Sequence, residues 1–157
     1  MFITEFFEAQ GNYNIVVTYP GRFQPFHLGH AGVFAKLQKE FGRDSVYILT
    51  SNDQSSPKSP FNYTDKYHLI TAAGIHGDRI VETNQMYSLP AGFDPSNTIF
   101  VTAVGSPDAQ RLGPDTYLKR DNPRTGKKAG DPSYFKTWQG KDNAVPADQH
   151  GYVIIVN

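Results

Sequence analysis

The feature that most constrains this chain is an alternation of short apolar runs with amphipathic ones. Ile15-Val16-Val17-Thr18-Tyr19 is β-branched and short, and Pro20-Gly21 stops it, which predicts a strand buried on both faces. From Gly29 the spacing of Val33, Phe34, Leu37 and Phe41 follows a helical stripe ending at Gly42, with Lys36, Gln38, Lys39 and Glu40 left for water. Residues 45–50 read as a second strand, and a helical pattern returns at Tyr67, Leu69, Ile70 and Ala73. A weaker strand is expected over 79–82, a strong one over 98–104 and a last one over 152–156. Strands joined through helices cross over and lie parallel. The expected class is therefore α/β, a doubly wound parallel sheet with ligands at the carboxyl ends of its strands.

Residues 113–149 break the pattern. Periodicity disappears there, Pro, Gly and charge rise, and only Tyr117, Tyr134, Phe135 and Trp138 offer anchors, so a long irregular insertion before the last strand is expected. A chain of 157 residues suits one domain, with 1–13 as a lead, a short helix or a strand covering a sheet edge, whose Phe2, Ile3, Phe6 and Phe7 fit an amphipathic helix somewhat better.

Composition narrows the chemistry. Fifteen Lys and Arg balance fifteen Asp and Glu, so no whole-molecule field recruits nucleic acid or an anionic membrane. The absence of cysteine removes disulfide scaffolds, thiolate nucleophiles and Cys-based zinc sites. No apolar run approaches a membrane span and the first residues lack the features of a signal peptide, so a cytoplasmic protein is expected.

The segment Gly21-Arg-Phe-Gln-Pro-Phe-His-Leu-Gly-His30 joins the first strand to the first helix, where unpaired backbone N–H groups and the helix dipole collect an anion. Gly29 would let a phosphate approach the backbone, and the imidazoles of His27 and His30 can donate to its oxygens. A capping turn would explain two histidines without function, but their place in a strand–turn–helix favours phosphate chemistry. The segment holds no acidic nucleophile and no Walker lysine, so catalysis there would be positioning and charge stabilisation.

These ten residues resemble the H-x-G-H signature of the nucleotidyltransferase superfamily, in the form found in nicotinamide-nucleotide adenylyltransferases. Gly21, Arg22, Phe23, Pro25, Phe26, His27, Gly29 and His30 all match. Ser59-Pro-Phe61 with Lys66 is similar to the family's Asn-Pro-Phe-x-x-x-Glu-Arg stretch, with Ser59, Asp65 and Lys66 in place of Asn, Glu and Arg. Val104-Gly-Ser-Pro-Asp108 resembles the segment that lines the adenine side. The resemblance implies a Rossmann-like fold of the nucleotidyltransferase type. It implies attack of a mononucleotide phosphate on the α-phosphorus of ATP, with Mg2+ carried by ATP and no metal site of the protein's own. His27 and His30 would be catalytic, and Gly21, Arg22, Phe23, Gly29, Gly105 and Ser106 would bind nucleotide and phosphate. Ser51, Lys58, Phe61 and Lys66 would lie on the acceptor side, although a solvated loop explains Lys58 equally well.

Two other readings stay open at this point: a cytidylyltransferase acting on a phosphorylated alcohol, and a non-catalytic nucleotide-binding or assembly module. The family's second signature, Ile-Ser-x-Thr-x-x-Arg after the last strand, does not occur in these residues. The expectation is either a larger polypeptide, with a C-terminal helix beyond Asn157, or a weakened grip on the triphosphate; a homo-oligomer is also open. Lys119, Arg120, Arg124, Lys127 and Lys128 against Asp121 make a local basic run, which reads as a solvated loop pinned by aromatics rather than a nucleic-acid site.

Overall fold

The computed structural model describes residues 13–55, 57–123 and 125–157. The expected lead helix over 1–13 and Arg124 of the basic run fall outside the described residues, apart from Tyr13. The chain divides into two compact units, Ile15–Phe93 and a second made of Asp94–Asn157 with Tyr13 and Asn14.

In the first unit, strand β1 (Asn14–Pro20) feeds helix α1 (Leu28–Phe41), which leads to β2 (Val46–Thr50). Val16, Val17, Thr18 and Tyr19 of β1 are all buried, as the run of β-branched residues requires. Helix α1 buries Phe34 and Leu37 and ends at Gly42, whose N–H donates to Gln38 O and whose φ of 102° suits a residue without a Cβ. Helix α2 (Tyr63–Ala72) and a 3-10 turn (Gly77–Arg79) then lead to β3 (Ile80–Glu82). β1 pairs parallel with β2 in the register Val17 to Val46, and β2 with β3 in the register Ile48 to Ile80.

Helix α2 departs from its expected stripe. Leu69 is exposed, and the buried face carries Ile70 and, four residues before it, Lys66. A lysine occupies the place where periodicity predicts an apolar side chain, because its ammonium finds a backbone carbonyl below it.

In the second unit, β4 (Thr98–Val104) is buried along its whole length. Helix α3 (Ser106–Leu112) follows and ends at Gly113, in the left-handed region. β6 (Gly151–Ile155) pairs parallel with β4, Val101 to Tyr152, and the short β5 (Phe135–Thr137) pairs parallel with β6 on its other side. In each unit three strands pair in parallel and, with their helices, make the α/β, Rossmann-like fold expected.

The irregular insertion is more ordered than its composition implies. Besides β5, residues 116–122 and 127–133 form a hydrogen-bonded antiparallel ribbon, with Leu118 N–H donating to Asp131 O and Ser133 N–H to Thr116 O. At three residues β5 is too short to show a period, and it lacks the adjacent β-branched pair that marks β3, which is why composition alone reads this segment as loop. Within the ribbon Lys127 donates to Pro132 O and Lys128 faces Asp121 at 3.8 Å, so two of its cations are engaged by their own loop.

Candidate active site

At the carboxyl end of β1 the chain turns sharply back on itself. Gly21 lies under the Phe23 ring so closely that a Cβ there would stand 2.6 Å from it. Phe23 is itself in the left-handed region, φ 49°, and buried. Its ring packs edge-on to Tyr19, Phe26 and His30, so the first role of Gly21 and Phe23 is to fold the turn and wall one side of an imidazole. The Gln24–Pro25 peptide is cis.

His27 caps helix α1. Its Nδ1 accepts the N–H of Gly29 at 3.1 Å, while the Nδ1 of His30 reaches back to accept the N–H of His27, also at 3.1 Å. This is a capping box built from two histidines, and the rings stack with centroids 3.7 Å apart. An Nδ1 that accepts a hydrogen bond is unprotonated, so in each neutral ring the proton sits on Nε2, on the edge away from the helix backbone. Gly29 makes room for this, since a Cβ there would meet His27 Cε1 at 2.9 Å. Burial among the aromatics, and next the charge of His27, holds the His30 pKa below the usual imidazole value. Two of the backbone donors that sequence reasoning offers to a phosphate are thus taken by the imidazoles, and an anion would meet the Nε2–H groups instead.

A second set of contacts joins this turn to the loop between β2 and α2. Arg22 donates to the buried Ser59 hydroxyl. The Gln24 side-chain amide pairs with both backbone groups of Phe61, Nε2 to its carbonyl and Oε1 from its N–H, each at 2.9 Å. Lys66, 1 % exposed, donates to Ser51 O at 2.7 Å. Burial lowers its pKa; Asp53 opposes that shift and Arg22 adds to it. Asn62 caps α2 in a box with Asp65.

The structure therefore gathers His27, His30, Gly21, Arg22, Phe23, Gly29, Ser51, Phe61 and Lys66 in one unit, and leaves Lys58 exposed on the loop. Gly105 and Ser106 belong to the second unit, where Gly105 follows β4 as the N-cap of α3 and the exposed Ser106 opens that helix. Sequence reasoning missed Gln24 and the role of Ser59 as the partner of Arg22. Gln24 lies inside the motif, but its partner lies 37 residues on and no local pattern points to it. Among the described residues, no group of three or more His, Cys, Asp or Glu stands together to hold a metal ion.

The family model for cytidylyltransferase-like proteins matches residues 18–139. The chain belongs to the cytidylyltransferase-like family. Curated relatives of this cytidylyltransferase-like protein include the nicotinamide-nucleotide adenylyltransferase of Halobacterium salinarum, 34% identical over 89 residues, which are 56% of this chain and 47% of that one. Nicotinamide-nucleotide adenylyltransferase 1 of Sulfolobus acidocaldarius is 28% identical over 93 residues, 57% and 51% of the two chains. The enzyme of that name from Methanolobus tindarius is 27% identical over 90 residues, 55% and 47%. The chain spans about half the length of the curated relatives it matches. Among its described residues no helix is long and apolar enough to cross a membrane.

Proposed function

We propose that this cytidylyltransferase-like domain transfers the adenylyl group of Mg-ATP to the phosphate of nicotinamide mononucleotide, forming NAD and releasing pyrophosphate. The observation that carries the reading is the histidine pair, two stacked imidazoles whose Nδ1 atoms are tied to the start of α1 and whose Nε2–H edges are left as donors.

The chemistry asks little more of the protein. An acceptor phosphate oxygen attacks the α-phosphorus, the bond from that phosphorus to the bridging oxygen breaks, and the electron pair leaves with pyrophosphate. A phosphate monoester is already mostly dianionic at pH 7, so no general base is needed. Charge moves toward the leaving group, and preorganised donors on its oxygens stabilise the transition state more than the ground state. His27 and His30 meet that requirement through Nε2–H. Mg2+ enters as ATP's counter-ion and therefore as part of the substrate. Arg22 and Lys66 supply positive charge on the acceptor side. We take residues 1–157 as one nucleotidyltransferase domain, with 113–149 peripheral to the chemistry, working on cytoplasmic solutes.

The names of the relatives favour adenylyl over cytidylyl transfer. Competition decides it: the protein is given ATP or CTP with nicotinamide mononucleotide or phosphocholine, and pyrophosphate is measured. Release with ATP and nicotinamide mononucleotide supports the proposal. Release only with CTP and phosphocholine overturns it in favour of a cytidylyltransferase, and nucleotide binding without release under any pairing favours a binding module.

A further inference from the structure

The loop between β2 and α2 is a self-supported piece. Gln54 Nε2 donates to Pro60 O, Ser55 and Ser59 bridge each other backbone to backbone, and the Tyr63 N–H donates to Asn52 Oδ1. A loop tied to itself in this way can shift as a body, so among the described residues its place relative to the histidines depends on the bonds that cross to the histidine turn. Two such bonds are made by the single Gln24 amide, and a third by Arg22 to Ser59.

The Gln24 contact differs from the Arg22 contact in kind. One hydrogen bond fixes a distance and leaves rotation free. A primary amide that donates to the carbonyl and accepts from the N–H of one residue fixes position and orientation together, as a rung of a β-ladder does. Phe61 is the right residue to hold in this way, because it directly precedes the α2 cap Asn62 and so sets where both loop and helix begin.

We propose that Gln24 is a positioning residue whose clasp on Phe61 holds the acceptor-side loop in register with the histidine pair. The proposal rests on the adenylyl-transfer reading, since only a two-substrate reaction needs two sides of one site held at a fixed separation. In-line attack requires the reacting atoms about 3–3.5 Å apart, and a misplacement of about 1 Å costs on the order of a hundredfold. Gln24 touches neither substrate in this account; it acts through Phe61.

The test measures affinities for nicotinamide mononucleotide and for Mg-ATP separately, with hydrogen exchange at the Phe61 amide alongside, in the wild type and in Gln24→Met. The methionine keeps length and volume and removes both hydrogen bonds. Gln24→Asn, one methylene too short to reach, serves if the methionine variant does not fold. The expected result is faster exchange at Phe61 and mononucleotide affinity lower by about tenfold or more, the size expected for losing two hydrogen bonds, with ATP affinity within about twofold. Equal loss for both ligands, no loss for either, or unchanged Phe61 exchange overturns the positioning role alone. A wild-type protein that binds ATP but no nicotinamide mononucleotide overturns the acceptor assignment and this inference with it.

Discussion

His27 and His30 are bound to each other through the backbone: the N–H of His27 donates to the Nδ1 of His30 at 3.1 Å, and the two rings stack at 3.7 Å. The pair is thus at once a helix cap and the proposed triphosphate grip. Truncating either residue touches both roles. His27→Ala and His30→Ala should each cost about 1 kcal/mol of stability through the lost cap, and should lower turnover on the order of a hundredfold through the lost donor. Denaturant midpoints and initial rates on the same samples check this. A stability loss with unchanged turnover would leave the pair a cap and nothing more.

The same pair carries a pH dependence. Burial, and then the charge of His27, lowers the His30 pKa in the folded state, so the unfolded chain binds a proton there where the folded chain does not. Stability should therefore fall as pH drops from about 6.5, the unfolded value, and the loss should level off below the lowered folded value. Protonating Nδ1 would also break its bond to the His27 N–H. Melting temperatures between pH 7.5 and 5 should decline more steeply in the wild type than in His30→Gln. Parallel curves would mean that another group governs the acid response.

Gly21 and Gly29 should respond differently to the same substitution. In Gly21→Ala the new Cβ would stand 2.6 Å from a ring locked among Tyr19, Phe26 and His30, so something packed must move. A loss of about 1–3 kcal/mol is expected, as for other overpacked sites. In Gly29→Ala the Cβ meets the half-free end of the exposed His27 ring. That ring can swing aside only by giving up its bond to the Gly29 N–H, so the stability loss should stay at about 1 kcal/mol, as for a lost cap, while turnover falls with the displaced imidazole. Thermal melts and rates on the two variants separate these outcomes.

Lys66 places a charge where α2 would otherwise bury an apolar side chain, and Ser51 O is the acceptor its ammonium reaches. Replacing a buried charge by an apolar side chain of similar volume is often neutral or stabilising. Lys66→Met should keep or raise the melting temperature and lower acceptor affinity by about tenfold. A large drop in melting temperature would show that the bond to Ser51 is structural first.

How far the sequence spoke for itself depended on the range of each interaction. The strands β1, β2, β4 and β6 and helix α1 are legible because hydrophobic period and glycine or proline stops are local signals. Helix α3 and strand β5 are not, being seven and three residues long. The residues of the histidine turn are legible as a motif, yet not their division of labour. That the imidazoles consume the backbone donors of Gly29 and His27, that Gly21 makes way for Phe23, and that Arg22 bonds to Ser59 all depend on how the turn folds in space. Lys66 inverts its stripe for the same reason, since a carbonyl fifteen residues away decides whether a lysine can be buried.

The central claim is that the histidine pair drives adenylyl transfer. The most direct measurement follows pyrophosphate and dinucleotide together, from Mg-ATP and nicotinamide mononucleotide, in the wild type and in the two histidine-to-alanine variants. The account predicts equal amounts of the two products in the wild type and a fall on the order of a hundredfold in each variant. Pyrophosphate released without dinucleotide, or rates unchanged when either imidazole is removed, would contradict it.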